Sequence, residues 1–316
     1  MLLISLVLFL ISCLVLVVSG GYLVKLLIRI SSYLKLSEFV VAFIIMAFST
    51  SIPELFVGIN SAVSGNPALS LGNVIGSNIA DLTLVIGIAA LLGRGIKVKN
   101  PFIKKDSLFM FLIALAPIAL MIFDHTLSRI DGAILILIFI IYILYLVKER
   151  REFKKEFNEN GKKHFVINIV LFVFCLSILF FSAHFVVRYA TQLAIELTLP
   201  SILIGLFFVA IGTSLPELVF ETRAVLAKKG DLAVGDAMGS VVCNSTLILG
   251  VTAIISPITN SFILFLTSAI FMAIVIFLFM IFIRSKKGLS IIESVTLIIL
   301  YILFILFELY FKSKIF

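Results

Sequence analysis

Charge is scarce in this chain, and so are the residues that build metal centres and disulfide frames. Only 13% of its 316 residues are charged, against 62% hydrophobic. Apolar runs near 20 residues recur along the whole length, which excludes a soluble domain and defines a polytopic membrane protein. The runs lack the two-residue alternation of barrel strands, so the expected class is all-α. Cys13, Cys175 and Cys243 stand alone inside apolar segments, give neither a disulfide frame nor a metal spacing, and read as small buried hydrophobes. No His/Cys cluster of the kind a zinc or copper transporter favours is present. The N-terminus lacks a basic leader region and its apolar run is too long for a signal core, so it reads as a first transmembrane helix. The net charge of +8 implies no nucleic acid, because the basic residues cluster between apolar runs, where they mark cytoplasmic loops.

Ten spans are expected, at about 2–24, 37–64, 69–92, 105–123, 130–147, 165–188, 200–227, 232–256, 261–283 and 289–311. With both termini outside, only Arg129, Arg188, Lys312 and Lys314 of the 25 Lys and Arg fall on the outer side, as the positive-inside rule requires. The expected location is the cell membrane, multi-pass, with the lipid bilayer as surroundings and a monomer as the working unit. Residues 148–164, KERREFKKEFNENGKKH, form a charged cytoplasmic linker between halves 1–147 and 165–316.

The halves repeat. Ala47–Gly87, AFSTSIPELFVGINSAVSGNPALSLGNVIGSNIADLTLVIG, returns without a gap 163 residues later as Ala210–Gly250, AIGTSLPELVFETRAVLAKKGDLAVGDAMGSVVCNSTLILG. The offset pairs Thr50 with Thr213, Ser51 with Ser214, Glu54 with Glu217, Ser77 with Ser240 and Asp81 with Asn244. It also sets SGGYLVK at 19–25 against SAHFVVR at 182–188. Five spans per half is odd, so the second half enters the membrane upside down, as in transporters built from inverted repeats.

Each copy carries a helix break. Pro53 and Pro216 remove a backbone hydrogen bond and free carbonyls in the preceding turn, from Ala47 to Thr50 in the first copy. Such carbonyls persist in lipid only where they line an enclosed cavity. Hydroxyls of Thr50, Ser51, Thr213 and Ser214 lie at the same level, with Glu54 and Glu217 one turn away. Ser77 and Asp81 share a helical face, as do Ser240 and Asn244. Acids at mid-membrane each cost about 2.5–3.5 kcal/mol, and no mid-membrane Lys or Arg is available to pair with them. The balance calls for cations, and an all-oxygen set suits Ca²⁺ or Na⁺. Glu221, one turn after Glu217, is expected either to pair with Arg223 or Lys228 near the cytoplasmic end or to bind an ion on the inward path.

At STSIPELF, LGNVIGSNIAD and GTSLPELV the chain resembles the cation/calcium exchanger superfamily, and most closely its prokaryotic sodium/calcium exchangers. Their two alpha repeats would correspond to about 43–90 and 206–253. The resemblance implies that Glu54 and Glu217 are central carboxylates shared between ions, and that Thr50, Thr213, Ala47 and Ala210 give mainly backbone oxygens. By the same resemblance Ser51, Ser77, Ser214 and Ser240 give hydroxyls, and Asp81 and Asn244 complete the site. It further implies exchange of Na⁺ for Ca²⁺ by alternating access, with the long first and sixth spans sliding over a rigid core. No cofactor and no enzymatic activity are implied. The chain departs from the family in several places: acid and amide are exchanged at Asp81 and Asn244, Ser49 replaces a glycine, Val241 replaces an amide, and Glu221 and Asp236 are extra acids.

Three other readings compete. A Ca²⁺/H⁺ antiporter, or another cation/H⁺ or K⁺-dependent antiporter of the same fold, would use the same carboxylates. An intramembrane aspartyl protease would pair two membrane acids, but Ala233 stands where its motif needs glycine and no tyrosine precedes Asp81. A passive channel does not call for a closed, two-sided, charged centre.

Overall fold

A computed structural model describes residues 2–34, 37–63, 65, 67–100, 102–122, 125–149, 160–196, 214–259, 262–285 and 288–315. The first half begins with α1 (Leu2–Leu34), then α2 (Glu38–Thr50), π-helical over Ala42–Met46, and α3 (Ile52–Val63), which meets α2 at a 44° bend. A turn follows, then α4 (Ala68–Ala80), a π-helical turn at Asp81–Val85 and α5 (Ile86–Leu92). Strand β1 (Ile96–Lys97) leads to α6 (Ile103–Met121) and α7 (Arg129–Glu149). The second half contains α8 (Asn160–Glu196), α9 (Leu215–Leu226), α10 (Gly230–Cys243), a π turn at Asn244–Ile248 and α11 (Leu249–Ile255). It ends with α12 (Phe262–Ser285), β2 (Gly288–Leu289) and α13 (Ile291–Ile315). Among the described residues six helices are long and apolar enough to cross a membrane, and the bent α2–α3 pair makes a seventh. The protein is an all-helical membrane protein.

The 163-residue offset holds in three dimensions. Adding it to the bounds of α3, of the π turn at Asp81–Val85 and of α5 gives those of α9, of the π turn at Asn244–Ile248 and of α11. Even the turn between helices repeats: Gly65 and its counterpart Lys228 both take left-handed backbone, at φ 75° and 60°. Later the offset becomes 162. Ser128 and Asp131 cap α7 reciprocally, and Ser290 and Glu293 cap α13 in the same way.

The halves interlock in opposite senses. Ile96 pairs with Leu289, and the related pair Leu127 and Ile258 forms an isolated bridge at the other end of the molecule. A Cβ on Gly230, at the start of α10, would lie 2.2 Å from the Lys97 carbonyl, just beyond the end of α5. The start of one central helix therefore abuts the end of its mate. At this end Lys229 also pairs with Glu38 at 2.7 Å, and Asp231 accepts from the Lys99 amide at 2.8 Å. We call it the Lys229 end and its opposite the Leu127 end. Helices α1 and α8 pack along each other antiparallel, with Tyr33 stacked on Phe165 at 3.9 Å.

The packed centre is α4–α5 and α10–α11, each about four-fifths buried, whereas α7, α13 and the mapped part of α8 are mostly exposed, as lipid-facing helices are. Small residues allow this density. On α10, a Cβ at Gly235 would meet the Phe39 carbonyl at 2.5 Å, and one at Gly239 the Phe43 carbonyl at 2.4 Å.

Candidate functional site

The site lies where the bend of α2–α3, the start of α9 and the π turns at Asp81 and Asn244 converge. The bend falls at Ser51, two residues before Pro53, as the missing amide dictates. Not all the carbonyls ahead of it are free. Ala47 O accepts the Ser51 amide at 3.1 Å and shares the single Thr50 hydroxyl proton, at 3.3 Å, with Met46 O at 3.2 Å. The expectation that proline leaves this carbonyl open is therefore corrected for Ala47.

Asp81 and Asn244 each begin a π turn. A π turn widens the helix by one residue and recurs at functional sites. Both turns are braced alike: Thr83 donates to the Ile79 carbonyl, and Thr246 to the Val242 carbonyl.

Glu54, Asp81, Glu217, Asn244, Thr50, Ser51, Ser77, Ser214 and Ser240 are all buried. Ala210 and Thr213 fall outside the described residues. Ser77 faces the Glu54 carboxylate and Ser214 faces that of Asp81, so each half contributes a hydroxyl beside an acid. The carboxylates of Glu54, Asp81 and Glu217 lie close enough to repel one another. Several of these groups hold atoms with no hydrogen-bond partner: Glu54 Oε2, Asp81 Oδ1, Glu217 Oε2, Asn244 Oδ1, Ser51 Oγ and Ser240 Oγ. Each such buried group costs about 1–3 kcal/mol, more when charged. Among the described residues no Lys, Arg or His is buried.

Four residues gain importance from the structure. Glu221 and Asp236 are fully buried and face each other, so the expected pairing of Glu221 with Arg223 or Lys228 is not made. Asn78 accepts from Asn244 Nδ2 at 3.1 Å and donates to Ser245 Oγ at 2.8 Å. Cys243, which helical periodicity places on a different face from Asn244, lies against Ser51 and close to Glu54. The spacing of Glu221 one turn from Glu217 put it near the site, but the nearby Arg223 and Lys228 pointed to an ion pair and not to this burial; the thiol contact carried no sequence signal.

Among the described residues no three acidic, His or Cys side chains come together tightly enough to hold an ion by themselves. The donor set is mixed: carboxylate, amide and hydroxyl oxygens drawn from both halves. Such a set suits a hard cation with flexible coordination.

Two interlocked halves of opposite sense, with unpartnered acids between them at broken and widened helices, define a membrane transporter of the inverted-repeat class. The chain belongs to the sodium/calcium exchanger protein family, whose model matches residues 4–148 and 167–310. It is 32% identical over 212 residues to the membrane protein MJ0091 of Methanocaldococcus jannaschii, covering 67% of this chain and 69% of that one. It is 28% identical over 328 residues to the sodium/calcium exchanger MaX1 of Methanosarcina acetivorans, covering 90% and 93%. Its fold matches the sodium-calcium exchanger NCX_Mj soaked with 10 mM Na⁺ and no Ca²⁺, with a TM-score of 0.84 and 27% identity over 96% of this chain and 99% of that one.

Proposed function

We propose that the protein is a secondary antiporter that exchanges Na⁺ for Ca²⁺ across the membrane by alternating access. The observation that carries this reading is the meeting of Glu54, Asp81 and Glu217 at the centre, with unpartnered oxygens and no buried basic group among the described residues. Ten spans, both termini on the outer side and a cytoplasmic linker at 148–164 complete the topology. A monomer suffices, because each half supplies its share of the site.

The mechanism follows from charge. Three carboxylates holding Ca²⁺, or several Na⁺, form a nearly neutral core that can be exposed to either side. With no cation bound, the core is strongly negative and resists crossing the low-dielectric barrier. Exchange is thereby coupled without leak. Glu54 and Glu217 are the shared carboxylates, with Asp81 and Asn244 across from them. Ser51, Ser77, Ser214 and Ser240 supply hydroxyl oxygens, and backbone oxygens at Ala47, Thr50, Ala210 and Thr213 complete the ligands. The packed pair α1 and α8 moves over the core to switch access.

Purified protein in liposomes, with Ca²⁺ flux measured against separately imposed Na⁺, K⁺ and pH gradients, tests the reading. Flux driven by Na⁺ alone, and lost in Glu54→Ala and Glu217→Ala, is expected. Flux driven by a pH step without Na⁺ would replace the counter-ion, and full activity in either variant would remove the assigned centre.

A further inference from the structure

Beside Glu54, Asp81 and Glu217, two further acids are buried near the centre of this protein. Glu221 and Asp236 are both 0% exposed, and all four of their carboxylate oxygens lack a hydrogen-bond partner. They face each other, and each also faces Asp81. Their position follows from helix geometry. Asp236 lies six residues inside the start of α10, about 9 Å from the Lys229 end, and about 12 Å before Asn244 on the same stripe. Glu221 is one turn past Glu217 toward that end of α9. The pair therefore sits between the central site and one mouth of the molecule.

Ser240 supplies an independent sign. Helical hydroxyls in this protein usually bond back to their own helix, as Ser49 does to the Ile45 carbonyl, Ser61 to Gly58 and Thr246 to Val242. Ser240 does not. Its hydroxyl is fully buried and unpartnered, one turn deeper than Asp236 on the same face. On the near side, Thr50 faces the Asp236 carboxylate but donates its own proton to the Met46 and Ala47 carbonyls, at 3.2 and 3.3 Å. Its oxygen lone pairs are free to accept or to ligate.

The other half has no such pair. The counterpart of Glu221 is Gly58, where a Cβ would strike Thr252 Oγ1 at 2.8 Å and Ser70 Oγ at 3.0 Å. Those two hydroxyls bond each other at 2.9 Å and satisfy themselves. The counterpart of Asp236 is Asn73, an uncharged amide. The two ends of the transporter are thus chemically different.

We propose that Glu221 and Asp236, with the hydroxyl oxygen of Thr50 and that of Ser240, which bridges to the exchange centre, form an additional Ca²⁺ site on the Lys229 side of that centre. Two carboxylates cancel one divalent charge. Four carboxylate and two hydroxyl oxygens reach the lower end of the six to eight that Ca²⁺ takes. Two monovalent ions in the same space would repel each other at close range. The site holds a second Ca²⁺ ready on one side only, so it raises apparent Ca²⁺ affinity from that side.

The choice of ion rests on the exchanger reading, and the test separates the two. Purified full-length protein is equilibrated with ⁴⁵Ca²⁺ in Na⁺-free choline buffer and bound Ca²⁺ is counted per chain. About two equivalents are expected for the unaltered protein, and about one for Glu221→Gln/Asp236→Asn and for Glu54→Gln alike. In liposomes the inner-pair variant keeps Na⁺-driven exchange, with the Ca²⁺ concentration for half-maximal rate raised several-fold from one side only. One equivalent in the unaltered protein overturns the proposal without any variant, as do two equivalents in the inner-pair variant. Retention of two equivalents without Na⁺-driven flux would sink the exchanger reading and leave the second site standing.

Discussion

The side-chain amide of Asn244 donates from Nδ2 to Asn78 Oδ1 at 3.1 Å, and Asn78 passes the chain on from its own Nδ2 to Ser245 Oγ at 2.8 Å. This relay joins the π-turn helices of Asp81 and Asn244 directly. It also fixes which way Asn244 points: with Nδ2 engaged, the carbonyl Oδ1 is left unpartnered and available. The arrangement exists once, because Val241 occupies the repeat position of Asn78.

Asn78→Val should therefore weaken Ca²⁺ handling without touching a ligand. Loss of one buried hydrogen bond and its orienting effect is worth about 1–3 kcal/mol. The Ca²⁺ concentration for half-maximal exchange should rise about tenfold. If Asn78 acts through Asn244, adding Asn78→Val to Asn244→Ala should cost little more than Asn244→Ala alone. Fully additive losses in a double-mutant cycle would assign Asn78 a separate role.

Packing makes a second prediction. A Cβ on Gly239 would lie 2.4 Å from the Phe43 carbonyl and 2.6 Å from the Ala47 Cβ. Both neighbours belong to the segment that leads into the bend at Ser51. Gly239→Ala must push α10 from α2, at a cost of about 1–3 kcal/mol. It should lower the melting temperature in detergent and depress exchange together. An unchanged melting temperature would show that the helices part freely.

The left-handed turn residue makes a third. Lys228 holds φ at 60°, a conformation that costs an L-residue roughly 1–2 kcal/mol and glycine almost nothing, and Gly65 holds its counterpart. Lys228→Gly should stabilise the protein by up to about 1 kcal/mol and leave transport rates intact. Gly65→Val should destabilise it. Thermal melts of both variants decide the matter.

Much of this architecture is written in the chain at large. The 163-residue offset, visible as paired Pro-Glu motifs, anticipates the matching bounds of α3 and α9 and the bend at Ser51, because a missing amide acts locally. Other features depend on what meets across the interface. The π turns at Asp81 and Asn244 have no composition of their own; they arise where packed helices accommodate one extra residue. Glu221 reads locally as a surface acid with Arg223 two residues away, yet it is fully buried, facing Asp236 of its own half and Asp81 of the other. The contact of Cys243 with Ser51 follows from the close approach permitted by Gly239, one turn earlier, which no periodicity of α10 alone could reveal.

The exchange of acid and amide between the repeats gives the last prediction. Asp81 and Asn244 occupy equivalent positions at the heads of their π turns. If the centre needs three negative charges and not a particular placement, moving the acid should be tolerated. Asp81→Asn alone leaves two acids in the centre and should cut Na⁺-driven Ca²⁺ flux by at least about tenfold, the effect of about 1.4 kcal/mol. Asn244→Asp alone gives four, which over-stabilises bound Ca²⁺ and slows its release. Asp81→Asn/Asn244→Asp restores the count and should recover most of the flux. The environments are not identical, however. Asp81 faces Ser214, Glu221 and Asp236, whereas Asn244 is tied to Asn78. An aspartate at 244 loses the amide donor that bonds Asn78 and sets two acceptors against each other, so recovery should improve further when Asn78→Ser is added. Failure of both the double and the triple variant to transport would show that the position of the acid, and not the number of charges, sets the exchange.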